Sequence, residues 1–253
     1  MFRIFRQRWV LWLYMLLTVS IIATFVKPLH FEHTTAGIIV GTIITTIGAV
    51  LVSALPAYLI GGVMAGIIRL PGWLKSLTSL SVYILAGMPS IILGIIGFLL
   101  FSNAMGFGWS MLSAMLTLIL LLYPTLVTAF SQLLRPFNQR YGLAAESFGV
   151  GPLELLFRLS PAYQKGKILE VLILGWATSL GDTAAVMLTC GALTAFPQSL
   201  LDSVRLLNFH IYLLAMDIPG GMPEARSLSL LLIIFLLFLF IAPRLVHRYL
   251  TED

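Results

Sequence analysis

Charge is what this sequence has least of. Only 10% of its 253 residues are Asp, Glu, Lys or Arg, against 59% with hydrophobic side chains. A soluble domain cannot clothe its surface with so little polar material, so the composition leaves a polytopic membrane protein. Cysteine is nearly absent: Cys190 stands alone in an apolar run, with no internal disulfide to make and no second Cys or clustered His for a metal. It reads as packing. The four histidines are scattered at 30, 33, 210 and 247. His30, Glu32 and His33 form a loose HFEH cluster that reads as a solvated connection, and no metal is expected. The phosphate-cradling Gly-rich lysine loop is missing, so the chain is not itself an ATPase and holds no cofactor of its own. Within the apolar runs there is no Ser/His pair, paired Asp or His-Glu-x-x-His, which disfavours an intramembrane enzyme. The net charge of +5 does not point to nucleic acid, because the basic residues collect at the ends of apolar runs.

Those runs define the chain as one transmembrane domain over 1–253, all-α, with spans near 9–26, 38–60, 77–101, 109–134, 168–195 and 228–243. Arg3, Arg6 and Arg8 precede the first run, as in a signal peptide, but no small-x-small cleavage site follows, so an uncleaved helix is expected. Pro56, Pro89 and Pro124 fall inside the next three spans and should bend them. Bent helices around a shared interior suit a pathway, although prolines also occur in purely structural spans. The second apolar run outlasts one crossing, and 61–70 should lie along the interface.

Orientation follows from Lys and Arg. With six spans and a cytoplasmic amino terminus, twelve basic residues fall inside and only Lys27, Arg205 and Arg226 fall outside. Both termini are therefore expected in the cytoplasm of a bacterial inner membrane protein. The segment 135–167 joins them there, while 196–226, with Asp202, Asp217 and Glu224, lies outside. That outer segment reads as a solvated loop, with a docking surface for an outside partner as the other reading.

The segment 135–167 is patterned rather than slack. Leu143, Ala144 and Phe148, then Leu155, Leu156 and Leu159, recur at helical spacing around Gly149, Gly151 and Pro152, which predicts two short helices joined by a tight turn. Such a hairpin is either a docking surface or an amphipathic segment resting on lipid headgroups.

Asp182 is the one ionisable residue deep in an expected span, roughly 21 Å along a helix from Ile168 at about 1.5 Å per residue. A carboxylate at that depth is costly unless it faces a polar cavity or a partner. Thr178, Asp182, Ala185 and Thr189 follow helical spacing, with Ser179 and Thr183 beside them. The face reads as a substrate path or, alternatively, as a packing surface of small residues.

Three segments carry a resemblance. Leu143, Ala144 and Ala145, then Gly149, Pro161 and Gly166, resemble the cytoplasmic loop of ABC-transporter permease subunits, where Glu-Ala-Ala, a glycine and a Leu-Pro pair recur. Leu143 replaces that Glu, Ser160 replaces the leucine, and the Gly149 to Pro161 spacing is one residue shorter. Gly181-Asp182-Thr183-Ala184-Ala185 resembles the Gly-Glu-Thr-Ala signature of the phosphate-specific ABC permease pair, and Met88-Pro89-Ser90-Ile91-Ile92-Leu93-Gly94 resembles its Val-Pro-Ser-Ile-x-x-Gly segment. The likeness covers roughly 42–246 and is greater to the subunit with the shorter amino-terminal region.

The resemblance implies a six-span type I ABC importer permease fold with a cytoplasmic coupling helix. Ala144, Ala145, Glu146, Gly149 and Pro161 would meet an ABC ATPase dimer that uses ATP. Pro89, Ser90, Thr178, Ser179, Asp182 and Thr183 would line the path of a phosphate-like anion. It also implies a second permease subunit, identical or related, and an extracytoplasmic solute-binding protein. The family's arginine shortly before the Gly-Glu pair is missing, with Thr178 and Ser179 in that place. The competing expectation is an ion-coupled secondary transporter in which Asp182 carries a proton or cation.

Overall fold

The structure, a computed structural model, describes residues 33–250, with side chains over 36–241. The expected first span, 9–26, and His30 and Glu32 of the HFEH cluster lie outside the described residues. The described elements are helical: α1 His33–Met64, α2 Gly72–Gly87, α3 Ser90–Gly97, α4 Met111–Ser147, α5 Pro152–Glu154, α6 Ser160–Gly181, α7 Leu207–Met216 and α8 Met222–Leu250. A π-helical stretch, Phe98–Ala104, continues α3, and another, Leu155–Leu159, joins α5 to α6. Among the described residues α1, α4 and α8 are each long and apolar enough to cross a bilayer, and α2 with α3 makes a fourth if that bent pair is one span.

The core runs along α1 and α4, where Ala49 and Ala57 are buried with Leu118, Leu122, Leu126 and Phe130. Between lipid-embedded helices burial gives no hydrophobic gain over lipid, so close packing must hold them. Gly61 shows how close: a Cβ there would lie 2.7 Å from the Phe130 Cβ and 3.1 Å from the Ser131 backbone nitrogen. On α6, Trp176 donates from Nε1 to Thr46 Oγ1 of α1 at 3.0 Å and packs edge-on against Phe235 of α8. These contacts gather α6 and α8 around the central pair.

Several helix ends differ from their expected places. α1 runs straight through 61–64 before the chain turns, so only 65–71 remain as a connection. The expected span 77–101 is two helices, α2 and α3, meeting at 107°. Met88 is extended there, with φ −82° and ψ 131°, because the ring of Pro89 disfavours helical geometry in the residue before it. α4, in contrast, continues through both Pro124 and Pro136, so the first half of the segment 135–167 is the end of a long helix. The expected helix 168–195 stops at Gly181, and the expected loop 196–226 contains the apolar helix α7 and the start of α8.

Candidate functional site

α6 ends at Gly181 because Asp182 offers its backbone another partner. Its carboxylate Oδ1 accepts the Ala185 amide at 2.8 Å, the local side-chain bond by which Asp competes with a helix. The chain then makes a tight turn in which the Thr183 carbonyl accepts from Met187 N at 3.1 Å. Asn208, near the start of α7, donates its side-chain amide to the Asp182 carbonyl and accepts the Phe209 amide through Oδ1 at 2.9 Å. α7 is tied to α1 as well, since Leu207 N donates to Thr42 Oγ1 at 2.8 Å. Asp182 is thus half-buried at a helix terminus held from two sides, not one residue of a continuous helical face.

The turn meets the start of α3. Gly94 lies so close that a Cβ there would stand 2.9 Å from the carbonyl oxygens of both Ala184 and Ala185. Ser90 opens α3 after the Pro89 cap, and it lines one cleft with Thr178 and Asp182. That cleft, of about 490 Å³, takes its remaining wall from α2 and α4. Its α4 side presents Leu121, Thr125, Thr128 and Gln132, positions spaced by four, three and four residues and so stacked on one helical face.

Of the expected path residues, Ser90, Thr178 and Asp182 come together in this cleft. Pro89 caps α3 beside it, and Thr183 belongs to the turn. Ser179 is fully buried and donates to the Trp176 carbonyl at 2.8 Å, outside the cleft lining. Thr125, Thr128, Gln132 and Asn208 escaped the sequence reading. The hydroxyl and amide spacing on α4 was the available signal for the first three. Asp182 is the only charged side chain in the cleft among the described residues.

The hairpin after α4 closes by backbone geometry. The Gly149 amide donates to the Glu146 carbonyl at 3.0 Å and the Val150 amide to the Ala145 carbonyl at 2.9 Å, and Gly149 has φ +75°. This pair of bonds around a left-handed residue is a Schellman motif, and glycine occupies its left-handed position without strain. Ala145 is buried beneath the turn, whereas Leu143 and Phe148 are 78% and 86% exposed. Ala144 is also exposed. Glu146 pairs with Arg69 of the α1–α2 connection at 2.9 Å, and Asn138 donates to the Ala65 carbonyl in that same connection at 3.2 Å. Pro161 sits in the first turn of α6, where its missing N–H costs little. Ser160 beside it is fully buried; Tyr58 of α1 donates to the Leu156 carbonyl at 2.8 Å and places its hydroxyl 3.0 Å from Ser160 Oγ. The hairpin thus presents apolar side chains at its tip and polar ties at its base.

The sequence is similar to known proteins. The phosphate transport system permease protein PstA 2 of Mycobacterium bovis is 28% identical over 213 residues, covering 83% of this chain and 70% of that protein. The Mycobacterium tuberculosis protein of the same name matches equally. The probable ABC transporter permease protein YqgH of Bacillus subtilis is 24% identical over 222 residues, 85% of this chain and 70% of its own length. Residues 57–252 match the family described as binding-protein-dependent transport system inner membrane component, a span holding the hairpin, the cleft and the turn after Asp182. The chain is a multi-pass transport subunit and belongs to that family of ABC permeases.

Proposed function

We propose that this chain is the permease subunit of an ATP-driven importer for phosphate or a related oxyanion in a bacterial inner membrane. A separate ATPase dimer hydrolyses ATP and grips the hairpin through Leu143, Ala144 and Phe148, with Ala145, Glu146, Gly149 and Pro161 fixing the hairpin's shape. Its nucleotide cycle rocks the helices and alternates access to the cleft. Both termini lie in the cytoplasm, and a solute-binding protein delivers substrate from the other side.

The observation that carries this reading is the contact of Gly94 with the Ala184 and Ala185 carbonyls. It joins the two segments that resemble the phosphate-specific permeases, which lie some ninety residues apart, and sets Ser90 and Asp182 on one cleft. Serine, threonine and glutamine donors suit an oxyanion. Among the described residues no Lys or Arg lines the cleft, and a desolvated anion needs a countercharge. A second permease subunit, a related chain or another copy, supplies it across the cleft.

The test begins with the tagged chain purified from its native membrane in mild detergent and reconstituted with whatever subunits accompany it. An ABC ATPase is expected in the complex, along with ATP-dependent uptake of labelled phosphate. Asp182→Asn and Thr178→Leu should abolish uptake while retaining the ATPase. Leu143→Asp combined with Phe148→Asp should release the ATPase. Uptake driven by an imposed ion gradient in the absence of any ATPase would overturn the proposal and restore the secondary transporter built on Asp182.

A further inference from the structure

A second crevice, of about 340 Å³, lies between α4, α6 and α8. It shares Ala129, Gln132 and Leu174 with the cleft, so only a thin wall separates the two. Its lining changes character along the helices. On α6 it passes from Lys167 and Glu170 to Ile173 and Leu174, and on α8 it meets Leu239 and Phe240. The polar end stands at the level where basic residues mark the water boundary. Arg135 follows Gln132 by three positions on α4, Lys165 precedes Lys167 on α6, and Arg244 follows Phe240 by four positions on α8. The apolar end therefore points into the bilayer.

Lys167 and Glu170 are one turn apart, a spacing at which opposite charges commonly pair. The ion pairs formed among the described residues are Arg69 with Glu146 and Arg158 with Glu154; Lys167 and Glu170 pair neither with each other nor elsewhere among them. A cation and an anion held apart at headgroup depth, above an apolar groove, complement a zwitterionic headgroup whose phosphate and ammonium are separated by a short arm. We propose that this crevice binds a phospholipid with an ethanolamine headgroup. Lys167 and Gln132 hold its phosphate, Glu170 holds its ammonium, and one acyl chain lies along Leu174, Leu239 and Phe240. A glycerol-headgroup lipid satisfies Lys167 equally but offers Glu170 a neutral group in place of the ammonium. Because Gln132 belongs to both lining sets, headgroup occupancy also sets the position of a side chain in the cleft.

The test uses the full-length chain with its native partners in nanodiscs of phosphatidylethanolamine, phosphatidylglycerol or an equal mixture. Phe240→Trp adds a fluorophore at the crevice, read as the difference from the parent complex with the chain's five native tryptophans, and acyl chains brominated on one lipid at a time report which lipid lies against it. In the mixture, brominated ethanolamine lipid is expected to quench with about fivefold preference over brominated glycerol lipid, the size of one headgroup charge contact. Glu170→Gln should remove the preference, and Lys167→Gln should weaken quenching by both lipids. Equal quenching by the two lipids in the Phe240→Trp chain, or a preference that survives Glu170→Gln, would overturn the assignment. Shielding from both lipids would also overturn it and place a second polypeptide in the crevice. None of these readouts depends on phosphate being the transported solute.

Discussion

Replacing Gly94 with alanine tests the contact on which the cleft depends. The new Cβ would stand 2.9 Å from two carbonyl oxygens and 3.2 Å from the Ala185 Cα. Non-bonded heavy atoms settle at about 3.5 Å or beyond, so the helix or the turn must yield by about half an ångström. All three obstructing atoms belong to the backbone, and no side-chain end can swing aside. Overpacking of this kind costs about 1–3 kcal/mol, against which alanine returns roughly 1 kcal/mol of helix propensity. Gly87→Ala is the matched control, since a Cβ at Gly87 meets nothing within 4 Å. Thermal unfolding of the two variants in the same detergent should separate them, with Gly94→Ala the less stable by about the overpacking cost minus the larger propensity gain at its helix-interior site. Uptake should fall in Gly94→Ala as well, because Asp182 is bonded to the Ala185 amide at 2.8 Å and moves with the turn. If Gly94→Ala unfolds with the control and transports normally, α3 does not bear on the turn and the cleft does not depend on that contact.

The hairpin gives two further tests. Gly149→Ala should destabilise the turn by about 1–2 kcal/mol through its left-handed backbone alone, because a Cβ there also meets nothing within 4 Å. Gly149→Asn should cost less, since Asn tolerates that conformation, and limited proteolysis across 147–152 should rank the variants in that order. Tyr58→Phe removes the hydroxyl shared by the Leu156 carbonyl and Ser160 and should cost about 1–3 kcal/mol, as for any buried group left without its partner. Adding Ser160→Ala should then cost much less than it does in the Tyr58 parent, a non-additivity that a double-mutant cycle in chemical denaturation measures.

Much of this organisation was legible in the sequence, and the failures have local causes. The low charge and long apolar runs identified an all-helical membrane protein. The loop glycine, the Asp182 segment and the Pro89 segment led to the permease family. Helix ends were read poorly wherever a proline or an aspartate decided the outcome. Pro89 and Pro124 carry the same expectation of a bend, yet Pro124 is held within one continuous helix whereas Pro89 makes a corner of 107°. The difference lies in the neighbours, since α3 must turn to bring Gly94 onto the Ala184 and Ala185 carbonyls. The period of Thr178, Asp182, Ala185 and Thr189 fitted a helix, but a single carboxylate bond to the Ala185 amide redirected the chain. Periodicity records which residues are apolar and is silent about such local competition. Ser160 looked like a loss relative to the leucine of similar proteins, yet it meets Tyr58, a partner 102 positions away.

The length of α4 bears on how the hairpin and the cleft would act together under the proposed function. At about 1.5 Å per residue, its 37 residues reach roughly 55 Å. Its amino end is fixed by the segment after Asp182: Ser110 N donates to the Thr189 carbonyl, Met111 N to the Asp202 carbonyl and Leu112 N to the Leu200 carbonyl. Its carboxyl end is the hairpin arm bearing Leu143 and Ala145. Thr125, Thr128 and Gln132 line the cleft between those ends, just past Pro124, which gives the Leu120 carbonyl no helical donor and makes that turn the easiest to bend. On the proposed coupling, a push on the hairpin would reach the cleft through a continuous helix. The ties of Glu146 to Arg69 and of Asn138 to the Ala65 carbonyl join the hairpin to the α1–α2 connection, ahead of the α2 wall of the cleft, and would carry part of the same push. Two walls would move under one load while the carboxylate stays anchored to its turn, which is the relative motion that opening and closing a cleft requires.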